Sequence, residues 1–403
     1  MNKKRRHRQG LLAAQLKPSA SGDAGPGAPS PERWPALTGL RGIAALAVLL
    51  FHAFILAGKP PTVAAPLAWL FSAGWSGVDI FFTLSAFLLT IPFVRTESTR
   101  GVEPSLRVYG QRRLLRILPA YYVQAAILIA LGLLGLGVTG SWSEPTLPAI
   151  FANLFFLYGA LPDFGSMVPP WWTLPVELGF YLVLPLFAKC LRPRRWGWLL
   201  LGIALSLAYR FWLMNAGLTR AEEIAWVEHL PGRLHQFLVG MLAAYAFVRL
   251  QARSALPGAR AADLLAASAA IMFVVLPALG LLVSEHAFDG VPVRDPLLLC
   301  WHLLASVVVA VLLIALVAGA PRVGRLFSSA PARALGLVSY SLYLWHFPVM
   351  LALRESLGYA SARENFWAFV FYSLLFSLLV AGASWWLVER PAQQWRRQAK
   401  LGA

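Results

Sequence analysis

Residues 34–57 read WPALTGLRGIAALAVLLFHAFILA, and this stretch decides the fold class. Arg41 and His52 are its only ionisable side chains. At about 1.5 Å of rise per residue, a helix of this length crosses a hydrocarbon layer about 30 Å thick. Comparable apolar runs follow near 74–94, 118–138, 173–189, 196–214, 231–249, 263–283, 297–319, 334–353 and 365–387. They predict an all-α polytopic membrane protein with about ten transmembrane helices. A further patch, LPAIFANLFFLYG at 147–159, is too short to span comfortably and is expected to be interfacial or re-entrant.

The composition agrees with this reading. Of 403 residues 58% are hydrophobic and 13% charged, about half the charged fraction of an ordinary soluble domain. The net charge of +17 would suggest nucleic acid on a soluble face. Here 27 of the 35 Lys and Arg residues fall in the two terminal tails and in alternate connections between the ten spans. That is the pattern of basic residues retained on the cytoplasmic side, so both termini are expected there and no nucleic-acid partner is expected. Counting 147–159 as a full span would invert every later loop and destroy the asymmetry. Residues 1–33, basic and then rich in Pro, Gly, Ala and Ser, are expected to be a disordered cytoplasmic tail, and 392–403 a short one. Cys190 and Cys300 lie in no metal-ligand or CxxC spacing and fall at opposite faces of this topology, so no disulfide is expected between them. P-loop, dinucleotide-fingerprint, HExxH and GxSxG motifs are absent, which leaves ATP-driven transport and zinc chemistry without support.

Ionisable residues inside spans are costly, so each is a candidate site residue. Eleven residues separate Arg41 from His52, which puts both on one helix face about 16 Å apart along the axis. Arg41 near the cytoplasmic end can hold an anionic group. His52 in the outer half can act as a general base. A snorkelling Arg and a hydrogen-bonded structural His fit the same spacing. Asp79, in GWSGVDIFFTLSAF, and Glu177, in PPWWTLPVELGFY, are expected at the depth of His52, where either carboxylate can orient the imidazole. A helix-start Asp and an interfacial Glu are the plainer alternatives. Arg113 and Arg116 are spaced to face one phosphate-rich ligand, though basic residues before a span also serve as topology signals. In SYSLYLWHFPVM, Tyr340, Tyr343 and His346 share a face. Trp172, Tyr343 and His346 are candidate substrate-lining residues, and His302 is a further polar residue within a span.

Taken together, PALTGLRGIAALAVLLFHAF, GVDIFFTLSAF, RRLLRILPAYY, WWTLPVELGFY, YSLYLWHFP and the closing VERP resemble acyltransferase family 3, integral membrane O-acyltransferases. The resemblance runs through residues 34–391. It implies that His52 is the catalytic histidine and Arg41 its motif partner, that Arg113 and Arg116 serve the acyl donor, and that Glu177 is the family's acid. Ala86 departs from the pattern, since the family more often has Gly in that segment. The chain looks like the form without a C-terminal SGNH esterase-like domain.

The implied activity is transfer of an acyl group, acetyl being the commonest in the family, from acyl-CoA as co-substrate to a hydroxyl of a carbohydrate or glycosylated acceptor. No bound cofactor or metal is expected, and the bacterial inner membrane is the expected location. The rival reading, a secondary transporter or exporter of a saccharide or lipid-linked glycan, lacks the internal repeat and the paired broken helices such carriers show.

Overall fold

The computed structural model describes residues 34–99, 104–135, 146–158, 166–191, 195–283 and 300–399. The N-terminal tail to residue 33, the start of the span expected from 297, and residues 400–403 lie outside the described residues. The helices are α1 (Pro35–Leu56), α2 (Ala65–Ser72), α3 (Gly77–Thr99), α4 (Leu106–Leu133), α5 (Leu147–Leu154), α6 (Thr173–Ala188), α7 (Gly197–Asn215), α8 (Arg220–Val227), α9 (Leu230–Ala252), α10 (Ala259–Val283), α11 (Trp301–Val317), α12 (Val323–Phe327), α13 (Ala330–Leu357), α14 (Tyr359–Glu364), α15 (Phe366–Ser384) and α16 (Arg390–Ala399). A π turn, Trp385–Glu389, joins the last two. No β-strand occurs among the described residues.

Among the described residues, eight helical stretches, including Pro35–Leu56 and Ala330–Leu357, are long and apolar enough to cross a membrane. The two remaining expected spans are helical as well. Helix α9 has 23 residues, and its Arg233, His235 and Gln236 are buried against other helices. Its polarity therefore faces protein, which is how a helix with charged residues sits in a bilayer. Helix α11 has 17 residues. Large apolar side chains on α7, α10 and α15, such as Leu205, Leu264 and Phe371, are exposed, as a surface solvated by lipid requires.

Contacts between helices fix their relative directions. Tyr109 donates to the Tyr181 carbonyl at 3.1 Å, and Trp171 Nε1 donates to Gln124 Oε1 at 3.1 Å. Rising numbers on α4 therefore meet falling numbers on and before α6, and the two helices are antiparallel. Had the intervening α5 crossed the membrane, they would run parallel. With 8 residues, α5 is about 12 Å long and cannot cross.

Helices α1 and α13 run parallel, as first and ninth spans must. Backbones approach closely where Gly42 and Gly336 meet: a Cβ on Gly336 would lie 2.0 Å from the Thr38 carbonyl oxygen, and one on Gly42 2.5 Å from the Gly336 nitrogen. Small residues at such crossings replace the hydrophobic drive that lipid cannot supply. Helices α3 and α9 are a second parallel pair. There a Cβ on Gly240 would meet the Thr83 carbonyl at 2.3 Å and the Ala86 Cβ at 2.8 Å. The fully buried Ala86 is thus accommodated by a glycine on the facing helix, and the close approach survives the departure from the family pattern.

Candidate active site

The α1–α13 pair carries polar contacts at two levels. Toward the start of α1, Arg41 Nη2 donates to Ser339 Oγ at 3.0 Å. Farther along both helices, His52 Nδ1 lies 3.0 Å from His346 Nε2. The two contacts share one helix–helix seam, and the seam exists because the glycines let the backbones touch.

Around Arg41 the structure gathers the basic residues singled out from the sequence. Arg116, Glu177, Glu389 and Tyr181 all lie within electrostatic reach of Arg41. The Arg113 guanidinium sits 5.9 Å from the centre of the Tyr181 ring, and its Nε is buried without a partner. Tyr181 donates to Glu177 Oε1, which also accepts from Ser85 Oγ at 3.2 Å. Ser341 donates to the buried Glu389. Neither the Arg113 nor the Arg116 side chain makes a hydrogen bond among the described residues, so three guanidinium groups face two carboxylates with most of their N–H donors free. Such a group can take a multiply charged anion.

At the other level, His52 is half-buried and His346 is buried. His52 Nδ1 is 3.0 Å from the Val48 carbonyl oxygen, and His346 Nδ1 is 3.1 Å from that of Leu342. A carbonyl only accepts, so Nδ1 carries the hydrogen in each neutral ring. His52 Nε2 is left with a lone pair, the form a general base needs. Phe51 and Phe347 pack edge-on against the ring at 5.0 and 5.3 Å.

Two expectations need correction. Asp79 does not meet His52. Gly74 and Gly77 pack against the carbonyls of Ala47 and Ala44, an antiparallel register that sets Asp79 near the level of Gly42, about 15 Å from His52 along the axis. Asp79 accepts from His302 Nδ1 at 2.8 Å and from Gln236 Nε2, while Arg233 donates to His302 Nε2 at 2.6 Å. This buried Asp–His–Arg network ties α3, α9 and α11 together. His302 is thereby a satisfied interior histidine, the plainer of its two readings. Glu177 likewise belongs to the arginine level and holds no bond to His52. The carboxylate expected beside the imidazole is replaced by a second histidine.

Of the candidate lining residues, Tyr343 donates to the Pro170 carbonyl at 2.8 Å and accepts from Thr173 at 3.1 Å, linking the turn before α6 to α13. Its ring is 5.7 Å from that of His346. Trp172 lies under the Arg233 guanidinium at 5.0 Å, in the direction of the Asp79 network. In the turn between α8 and α9, outside the spans, burial lifts the Glu228 carboxyl to about 7, with the nearby Arg233 opposing the rise. No three His, Cys, Asp or Glu residues gather as a metal site among the described residues, and both cysteines are free.

Sequence reasoning missed Glu389, Ser339, Tyr181 and Arg233. Tyr181 closes WWTLPVELGFY and Ser339 opens SYSLYLWHFPVM, both already singled out, and the closing VERP contains Glu389. It sits in a π turn, a distortion frequent at functional sites.

The sequence model of the acyltransferase-domain family covers residues 34–387, nearly all of the described helices. The chain belongs to acyltransferase family 3. It is 24% identical over 376 residues to the peptidoglycan O-acetyltransferase OatA of Listeria monocytogenes, covering 89% of this chain and 56% of that protein. It is 25% identical over 339 residues to the exopolysaccharide production protein ExoZ of Rhizobium meliloti, covering 83% and 94%. The membrane-bound transacylase BcsY of Komagataeibacter xylinus, itself assigned only provisionally, is 26% identical over 378 residues, covering 91% and 85%. The chain spans about half the length of the OatA-type relatives and most of the length of the other two. No solved structure matches it. The Arg41–His52 pair, the Arg113–Arg116 pair and Glu177 lie inside the matched region, on the helices just described.

Proposed function

We propose that the protein is a bacterial inner-membrane O-acyltransferase that moves an acyl group, acetyl in the first instance, from acyl-CoA to a hydroxyl of a cell-envelope carbohydrate. One observation carries the reading: the α1–α13 seam holds Arg41, beside the unpaired guanidinium groups of Arg113 and Arg116, at one level, and His52 with a free Nε2 at the other. Arg41 and His52 are about 16 Å apart along one face of α1, and their partners Ser339 and His346 about 10 Å apart along α13. The relatives named for acetylation or production of peptidoglycan and exopolysaccharide support a carbohydrate acceptor.

CoA combines a cluster of phosphates with an extended pantetheine arm on the order of 20 Å long, comparable with the helix rise between the two levels. The basic excess of alternate loops supports a cytoplasmic position for the arginine level, the side on which acyl-CoA is made. Arg41, Arg113 and Arg116 bind the phosphates, with Glu177 and Glu389 as their counter-charges before the donor arrives. The thioester then lies along the seam toward His52. His52 Nε2 takes the proton of the acceptor hydroxyl, the oxygen attacks the thioester carbon, the C–S bond breaks, and the proton passes from His52 to the CoA thiolate. The products are an ester and free CoA.

The test uses the full chain in detergent with radiolabelled acetyl-CoA, peptidoglycan fragments and an exopolysaccharide fraction. Wild type is expected to release CoA and label one acceptor. His52→Ala abolishes turnover while retaining donor binding, and Arg113→Ala raises the donor KM. Full activity of a folded His52→Ala protein overturns the assignment of the base. Absence of acetyl-CoA binding overturns the donor.

A further inference from the structure

Resting on the reading of His52 as base, we propose that His346 is a positioning residue that holds the His52 tautomer and accepts the hydrogen bond of the imidazolium formed during transfer, in the place where a carboxylate stands in a Ser–His–Asp triad. His346 Nδ1 faces its own helix carbonyl, Leu342 O, at 3.1 Å. That carbonyl cannot donate, so the neutral His346 ring carries its hydrogen on Nδ1 and its lone pair on Nε2. The lone pair points at His52 Nδ1 across 3.0 Å. The His52 N–H is therefore shared between two acceptors, Val48 O and His346 Nε2.

The arrangement acts most when His52 is charged. Taking the acceptor's proton on Nε2 turns His52 Nδ1–H into a cationic donor, and hydrogen bonds to charged groups are about twice as strong as neutral ones. The His346 lone pair gains that increment without leaving a buried anion in the bilayer when His52 is neutral, which an Asp at this place would do. No carboxylate or cation faces the pair among the described residues. His346 is the one titratable neighbour acting on His52, and Tyr343, whose hydroxyl is bonded to Pro170 and Thr173, is the ionisable side chain beside His346. The Asp79 network and the arginine level lie at other places along the helices.

His346→Leu removes the acceptor and strands nothing, because Val48 O still takes the His52 N–H and Leu342 O remains inside its helix. His346→Gln restores an acceptor of similar reach. Two measurements test the role on the full-length protein in detergent. The first is nitrogen NMR of 15N-histidine-labelled protein, with His52 and His346 assigned among the seven histidines from the His52→Ala and His346→Leu spectra. The expected result is a protonated Nδ1 and bare Nε2 on both rings, with His52 Nδ1 scalar-coupled to His346 Nε2. A bare Nδ1 on His52, or no coupling, overturns the proposal without any turnover being needed. The second is kinetics with acetyl-CoA: His346→Leu lowers kcat about ten- to a hundredfold with the donor KM unchanged, and His346→Gln recovers most of it. An unchanged kcat in His346→Leu, with His52→Ala inactive, refutes the role of His346 alone. Full activity in His52→Ala instead removes the base reading on which it rests.

Discussion

Gly336→Ala puts the seam between α1 and α13 to a quantitative test. The new Cβ would stand 2.0 Å from the Thr38 carbonyl oxygen and 2.6 Å from its carbon, whereas non-bonded carbon and oxygen need more than about 3 Å. Backbone cannot rotate away as a side chain can, so α13 has to retreat from α1 by about 1 Å near this point. Ser339 is three residues farther along α13, and its 3.0 Å bond from Arg41 then stretches to about 4 Å, beyond hydrogen-bonding range. The His52–His346 contact at 3.0 Å opens by a smaller amount, because it lies about 10 Å farther from the clash. Overpacking of this kind costs about 1–3 kcal/mol, offset by up to about 1 kcal/mol of helix propensity gained on replacing Gly. A misplacement of about 1 Å in a reacting constellation lowers the rate about a hundredfold. Thermal unfolding in detergent and acetyl-transfer rate per folded molecule read the two effects separately. Gly110→Ala on α4, where nothing lies within 4 Å of the added Cβ, is the control and should match or slightly exceed wild type in stability. Wild-type melting and wild-type turnover in Gly336→Ala would falsify the claim that glycine contact sets the spacing of the site.

Three further outcomes are expected. Asp79→Asn weakens the buried bonds from His302 and Gln236 and removes the carboxylate from the buried His302–Arg233 network, so melting falls by about 3–5 kcal/mol of stability; activity per folded molecule falls far less than in His52→Ala, and equal losses would return Asp79 to the reacting centre. In a background with Cys190 and Cys300 replaced by Ser, single cysteines at Gly135 and Leu157 should react with an impermeant maleimide from the same side of the membrane, and labelling from opposite sides would make α5 a crossing. Burial lifts Glu228 to about 7 from the ordinary carboxyl value of 4.5, so the native state keeps a proton that the unfolded chain loses as pH rises from about 4.5 to 7, and stability falls across that window; Glu228→Gln should therefore melt higher than wild type at pH 8 and converge with it at pH 4, and a constant difference at both would show that Glu228 titrates normally.

The ten apolar runs were legible because a bilayer demands local, contiguous apolar length, a property of sequence windows. The rejection of 147–159 as a span came from charge asymmetry and agrees with the antiparallel α4–α6 contact. Helical periodicity and charge already placed Arg41, Arg113 and Arg116 toward one side, and Arg116 lies within electrostatic reach of both Arg41 and Arg113. The assignment of Asp79 to His52 went wrong for an identifiable reason. An apolar run carries no information on the register between two helices, and the glycine contacts at residues 74 and 77 set Asp79 near Gly42, away from the His52 level. Glu177 instead accepts from Tyr181 on its own helix and from Ser85 on α3.

What the sequence determined by itself, then, is the class of solvent, the order of the long apolar helices, and which polar side chains lie inside them. Each of these follows from the cost of putting a charge or a bare peptide group in hydrocarbon. Which polar residue faces which was decided by tertiary structure alone. His302 lies 223 residues from Asp79 and His346 lies 294 from His52. Their pairing depends on where glycines let two helices touch and in what register, and no window of sequence contains both sides of that contact.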